Sequence, residues 1–336
     1  MLSNKPQILV TGGAGYIGSH CVLELEKEGF EAIVLNRYVT KEYNLLKSFF
    51  NTKIIIGDIQ DTILLKRIFA SNKIDTVIHL AACSNVGESV TQPAKYYQNN
   101  FVGTLTLLET MLEANIKKFI FSSSSATYGI PKILPICEEH AQNPINPYGM
   151  TKLMVERIVR DFGLAYDLRF VCFRYFNVAG INSHGLLGES INSKNYLIPS
   201  ILQTALGNRE SISIFGTDYN TNDGTCIRDY VHVADIAKAH VLALQYLLKN
   251  DETDTFTDTF NLSSGRGYSV REVIELARTV TRREIKTIES KRHLENPPIL
   301  IGSNKKAKTI LGWNPQYSNL SDIIADAWRW HQNSLD

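Results

Sequence analysis

The stretch ILVTGGAGYIGSH, residues 8–20, joins a run of apolar and β-branched residues to four glycines and then to a helical pattern. Branched side chains favour a strand, and Gly12, Gly13, Gly15 and Gly18 let the backbone turn sharply and approach another group closely. A glycine turn between a strand and a helix N-terminus presents backbone N–H groups and the positive end of a helix dipole to an anion, as a dinucleotide pyrophosphate requires. Glycines also end strands for purely structural reasons, so the surrounding pattern has to decide. In and beyond this stretch, QILVT (7–11), EAIVLN (31–36), TKIIIGD (52–58), DTVIHLA (75–81), KKFIFSS (117–123) and LRFVCFR (168–174) read as buried strands. Helical spacings such as IGSHCVLELEKEG (17–29) and VGTLTLLETMLEAN (102–115) lie between them. Strand and helix in alternation predict an α/β fold with a doubly wound, Rossmann-like parallel sheet over residues 1–180. The pattern then loosens into the Gly/Asn/Ser-rich AGINSHGLLGESINSKN (179–195), read as a surface connection. A smaller C-terminal α/β substrate lobe is expected over 181–336, with elements at about 229–250 returning to the first domain.

Composition narrows the function classes. Thirty-five basic residues oppose 34 acidic ones, so no bulk attraction to nucleic acid or to an anionic membrane is expected. Any anion must be held locally. Cys21, Cys83, Cys137, Cys172 and Cys226 are odd in number and scattered, without paired ligand spacing, which predicts no metal site and a reducing, cytoplasmic setting. The first residues reach glycine too soon for a signal segment, and no apolar run is long enough to span a bilayer.

A second stretch carries candidate chemistry. NPYGMTKLMVE (146–156) opens with a helix-start pattern and places Tyr148 and Lys152 four residues apart, on one helix face. Alone, such a pair reads as a solvated face. The serines of FSSSSATYG (121–129), at the carboxyl end of a central strand, stand where open α/β sheets bind ligands.

With the G-x-x-G-x-x-G spacing of Gly12, Gly15 and Gly18, these segments resemble the extended, sugar-nucleotide branch of the short-chain dehydrogenase/reductase superfamily. RYFNVAG (174–180), ISIFGTDYNTNDGTCIRDYVHVADIA (212–237) and NLSSGRGYSV (261–270) narrow the resemblance to the UDP-glucose 4-epimerase family over nearly the whole chain. The resemblance implies bound NAD, held by Gly12, Gly15, Tyr16, Ile17, Gly18, Asn36, Asp58, Ile59, Leu80, Ala81, Ala82, Ser84, Asn99, Tyr148, Lys152 and Phe176. It makes Tyr148 the general base, Lys152 its charged partner and nicotinamide-ribose anchor, and Ser124 the hydrogen-bond partner of the reacting oxygen. Substrate contacts are implied for Ser124, Tyr148, Asn177, Tyr196, Leu197, Phe215 (on uracil), Arg228, Arg292, Glu295 and Ile299. The activity implied is interconversion of UDP-glucose and UDP-galactose, extending to UDP-GlcNAc through Ile299. The assembly implied is a homodimer through residues 93–115 and 147–163.

A free tyrosine titrates near pH 10, and bringing it to neutrality requires about 4 kcal/mol of preferential phenolate stabilisation, for which a neighbouring ammonium and a cationic ring are suited. A 4,6-dehydratase would need carboxylates beside the serine, where Ser125 and Ala126 stand instead; a non-catalytic dinucleotide sensor would have no need of Tyr148 and Lys152. Three positions depart from the family pattern: Ala126 replaces a threonine, Arg292–Glu295 reads RHLE in place of R-x-G-D, and Tyr196 replaces an Asn or His. A fourth departure concerns the cofactor. The acid that ordinarily ends the second strand is Asn36, followed by Arg37, so NAD is expected while NADP is not excluded by charge.

Overall fold

A computed structural model describes residues 6–50, 52–181, 196–249, 257–292 and 297–333. The expected surface connection at 182–195 and the substrate candidate Glu295 lie outside the described residues. The strands are β1 (Gln7–Thr11), β2 (Glu31–Asn36), β3 (Lys53–Ile56), β4 (Ile74–His79), β5 (Lys118–Ser124), β6 (Arg169–Tyr175), β7 (Asn177–Ala179), β8 (Ile212–Phe215), β9 (Ile227–His232), β10 (Thr257–Leu262), β11 (Gly267–Ser269), β12 (Thr287–Ser290) and β13 (Ile299–Leu300). The helices are α1 (Tyr16–Lys27), α2 (Lys41–Phe50), α3 (Thr62–Ser71), α4 (Val86–Thr91), α5 (Pro93–Tyr96), α6 (Gly103–Glu113), α7 (Pro147–Tyr166), α8 (Leu197–Ala205), α9 (Val233–Lys249), α10 (Val270–Thr281), α11 (Lys305–Leu311) and α12 (Leu320–Asn333). A π-helical turn, Tyr97–Val102, links α5 to α6.

Seven strands form a parallel sheet in the order β10-β6-β5-β4-β1-β2-β3. The six strands expected from the apolar runs are all present. Both faces of the sheet are covered, which is why the strands read as continuous apolar runs: Ile8 and Val10 point into one core with Val34, Val171 and Phe173, and Leu9 into the other with Ile33, Phe119 and Phe121. The order reverses at β1, leaving a crevice between the carboxyl ends of β1 and β4.

Residues after 180 contribute to both parts of the molecule. Helix α9 packs on α1, and β10 closes the edge of the seven-stranded sheet by pairing with β6 from Thr257–Phe170 to Leu262–Tyr175. By contrast β9 lies in a second sheet, between β11 and β13 and paired with β7, while β8 and β12 form a two-stranded parallel pair. Helices α8, α10 and α12 enclose a separate core containing Ile201, Leu202, Ile214, Val273, Ile274 and Ile323. This second assembly sits beside the carboxyl edge of the main sheet because β7 follows β6 after Phe176 alone.

Candidate active site

The glycine loop is shaped by contacts that exclude side chains. Gly12 has φ +71°, and a Cβ there would stand 2.7 Å from Ala81 N, while one on Gly18 would stand 2.1 Å from Gly12 O. Only bare backbone permits the end of β1, the start of α1 and the end of β4 to converge so closely. Gly15 is the N-cap of α1 and supplies no side-chain cap to the first turn. Tyr16 faces the second lobe, its hydroxyl donating to Gly180 O at 2.5 Å, and Ile17 packs against the main core. The cradle fits a pyrophosphate on geometry alone.

Around the crevice the strand ends deliver the other candidates. Leu80 N donates to Thr11 O at 3.0 Å, which pins the start of the Leu80–Ala82 segment to β1. Cys83, next in line, is clasped through both its N–H (2.8 Å) and its C=O (2.9 Å) by the Asn100 side chain. Sequence reasoning selects Asn99 from the doubled asparagine and passes over Asn100, the residue that fixes this loop. Asn99 instead accepts from Arg37 Nη2 at 2.7 Å. Asp58 pairs with the same guanidinium at 2.7 Å, and the neighbouring Ile59 is buried. Asn36 directs its amide to Tyr38 O at 2.7 Å, so Arg37 rather than Asn36 contacts Asp58 and Asn99.

The candidate chemistry gathers at β5 and α7. Asn146 caps α7 by accepting from Gly149 N at 2.8 Å, and Pro147 occupies the first turn, which starts the helix immediately before Tyr148. One turn on, Lys152 is buried, donates to Ser122 O at 2.7 Å and lies 5.9 Å from the Tyr148 ring centroid. Burial brings its ammonium down to about 7. Burial likewise raises Tyr148, up to about 12, against the lowering effect of a hydrogen bond with Ser124. Ser124 also accepts from Ala126 N at 3.1 Å, holding the serine where β5 ends. Tyr148, Lys152 and Ser124 are therefore one cluster.

Beneath it lies a network that sequence reasoning misses. Glu156, the next residue along the Tyr148–Lys152 face, forms a bidentate pair with Arg174 of β6, both almost wholly buried. Ser123 donates to the same carboxylate, as does Gln142 at 2.9 Å. Arg174 also donates to Tyr128 OH at 2.8 Å, which donates to Asn261 Oδ1 at 2.7 Å. The available signal is the four-residue spacing of Lys152 and Glu156; nothing local identifies Arg174 as partner.

The substrate candidates lie across the crevice on the second assembly. Phe176, a cofactor candidate, is buried in the main core, and Asn177, a substrate candidate, is exposed at the start of β7. Arg228 donates to Ile227 O at 2.8 Å. Ile299 pairs with Ile227 of β9, the strand whose Tyr230 pairs with Asn177. Phe215, 45 % exposed, ends β8 opposite Ser290 of β12, and the Arg292 guanidinium lies over the Tyr219 ring at 5.7 Å. Tyr196 caps α8 ahead of Leu197 and reaches back to the crevice, its hydroxyl 3.3 Å from Ser84 Oγ. Among the described residues no group of three or more His, Cys, Asp or Glu is placed to hold a metal.

The model of the NAD dependent epimerase/dehydratase family matches residues 8–261. The UDP-glucose 4-epimerase of Halalkalibacterium halodurans is 49% identical over 97% of this chain and 95% of its own length. The chain belongs to the UDP-glucose 4-epimerase family. Solved structures from this family superpose closely. The UDP-glucose 4-epimerase of Bifidobacterium longum in complex with NAD⁺ and UDP gives a TM-score of 0.92 at 37% identity, covering 98% of this chain and 99% of that one. The UDP-Glc/GlcNAc 4-epimerase of Campylobacter jejuni gives 0.83 at 39% identity, with the same coverage. The epimerase family fold is thus shared along the described chain. Among the described residues no helix is long and apolar enough to cross a membrane.

Proposed function

We propose that the chain interconverts UDP-glucose and UDP-galactose with bound NAD. The observation that carries this reading is the Ser124–Tyr148–Lys152 cluster standing beside a glycine cradle that only backbone can line. We assign NAD to the crevice between β1 and β4, with Gly12–Gly18 at the pyrophosphate, Asp58 at adenine and Lys152 at the nicotinamide ribose. NAD held there would supply reversible hydride acceptance at sugar carbon 4, which inverts that carbon when the hydride is added back to its other face. Tyr148 takes the 4-hydroxyl proton as its phenolate and gives it back to the 4-keto oxygen in the second half of the cycle. Ser124 hydrogen-bonds that oxygen throughout. The charged form of Lys152 stabilises the phenolate, and its bond to Ser122 O fixes it beneath the ring.

Binding energy is assigned to the uridine diphosphate, through Phe215, Arg228, Arg292 and Asn177, so that the hexose remains free to turn. The proposed division of labour is a dinucleotide domain, 1–180, and a nucleotide-sugar lobe, 181–336, with α9 and β10 serving the first. We also propose a homodimer and a cytoplasmic setting, the latter supported by five cysteines that are all free thiols. A coupled assay following UDP-glucose formed from UDP-galactose tests the activity. Turnover is expected; ligand-induced stabilisation without turnover would instead favour a sensor.

A further inference from the structure

Discrimination against NADP ordinarily rests on a carboxylate at the end of the second strand, which bonds the adenosine ribose hydroxyls and repels a 2′-phosphate. Here that place belongs to Asn36, whose amide is turned onto its own backbone at Tyr38 O. Arg37 follows, and a guanidinium at this place, taken alone, is a ready partner for phosphate. Its neighbours change that. Arg37 Nη2 lies 2.7 Å from Asp58 Oδ2 and 2.7 Å from Asn99 Oδ1, so one nitrogen serves two acceptors. Both acceptors are themselves anchored. The other oxygen of Asp58 accepts from Gln60 N at 3.0 Å, and Asn99 donates to Asn100 Oδ1 at 2.9 Å from the π-helical turn.

Resting on the NAD reading above, we infer that selectivity for NAD over NADP is carried by Asp58, just beyond β3, acting through Arg37, in place of a carboxylate at the end of β2. A 2′-phosphate approaching Arg37 finds the cation already compensated and a fixed carboxylate beside it. It must either displace Asp58 from its anchored position or accept a like charge in contact range. The ribose hydroxyls of NAD carry no charge and meet no such obstacle.

The test is calorimetric titration of NAD and NADP into protein stripped of dinucleotide, read as the ratio of the two affinities. Wild type is expected to favour NAD at least tenfold. Asp58→Asn keeps the side-chain shape but frees Arg37, and the ratio is expected to move at least tenfold toward NADP. Whatever the carboxylate supplies to adenine is common to both dinucleotides, so its removal weakens them alike and cancels in the ratio. Adding Arg37→Gln to Asp58→Asn should remove the NADP gain, while Arg37→Gln alone should leave NAD preferred. An unchanged ratio in Asp58→Asn, or an NADP gain that persists without Arg37, would overturn the inference while leaving the NAD reading intact. Wild-type protein that binds neither dinucleotide would overturn both.

Discussion

Among single residues, Tyr148 shows how burial and a hydrogen bond compete over one proton. Burial holds its phenol up to about 12, and Lys152, brought down to about 7 by the same burial, is only partly charged near neutrality. A cation near the ring would draw the phenol down, and the oxidised nicotinamide proposed for this crevice would be one. In stripped protein the phenolate step that is missing from Tyr148→Phe, one among those of the fifteen tyrosines, should therefore appear only at strongly alkaline pH, and adding NAD should move its midpoint downward. Tyr148→Phe should remove that signal and lower turnover by about 10²–10⁴-fold, the usual worth of a general base, with NAD and UDP affinities nearly unchanged. Near wild-type turnover in the phenylalanine variant would show that another group is the base. Ile299 poses a question of shape instead. A branched aliphatic in β13, paired with Ile227, leaves more room than an aromatic would. UDP-GlcNAc is accordingly expected to turn over alongside UDP-glucose, and Ile299→Tyr to depress the N-acetyl substrate selectively; complete rejection by wild type would refute the assignment.

Among the elements, α7 brings its proposed catalytic face into place because it is held at two points. Asn146 and Pro147 fix where it begins, and the Glu156–Arg174 pair ties its third turn to β6. Both charges are almost fully buried, at 3 % and 2 % exposure, so removing one partner strands the other in the core. Glu156→Gln should lower stability by about 3–5 kcal/mol, measured as an earlier midpoint in urea at unchanged slope. Combining it with Arg174→Met should cost less than the two single changes added together, because no unpaired charge then remains. Additive losses would mean that the pair's other hydrogen bonds, to Ser123, Gln142 and Tyr128, dominate.

For the molecule as a whole, three buried histidines from separate regions make folding sensitive to acid. His79 is brought down to about 3 by burial and by Lys152, and His240 and His331 to about 4 by burial. Their folded values lie below the unfolded value of about 6.5, so their contribution is complete above that pH and is lost as pH falls toward 4. At pH 5 the three together cost about 6 kcal/mol, offset by about 1 kcal/mol from Asp229, which burial raises to about 6 and which acts in the opposite sense. A steep fall of the unfolding midpoint between pH 6.5 and 5 is expected, and a flat profile would contradict neutral burial of these rings. Assembly also concerns the whole molecule. Helices α5, α6 and α7 form the proposed dimer face, and sedimentation at micromolar concentration should give twice the chain mass; a monomer alone would count against it.

The glycine loop, the six apolar strand runs and the Tyr148–Lys152 spacing are legible in the sequence because each is encoded within one or two turns or strands. Backbone freedom, side-chain alternation and helical periodicity are local properties, and they suffice for the fold class and for placing Tyr148 and Lys152 on one helix face; the proposed catalytic role of the pair rests on the family resemblance. The partners of these residues are not legible. Arg37 finds Asp58, Cys83 finds Asn100, Glu156 finds Arg174, Ser84 finds Tyr196, and β10 finds β6, each across a separation that no periodicity spans. Which distant segments meet is set by strand order in the seven-stranded sheet, and that order follows from how two faces of helices bury apolar surface together. The elements and the chemistry they carry are thus written locally in the chain. Which charges are paired, which are buried, and therefore which protons can move, depends on the packing of segments far apart in it.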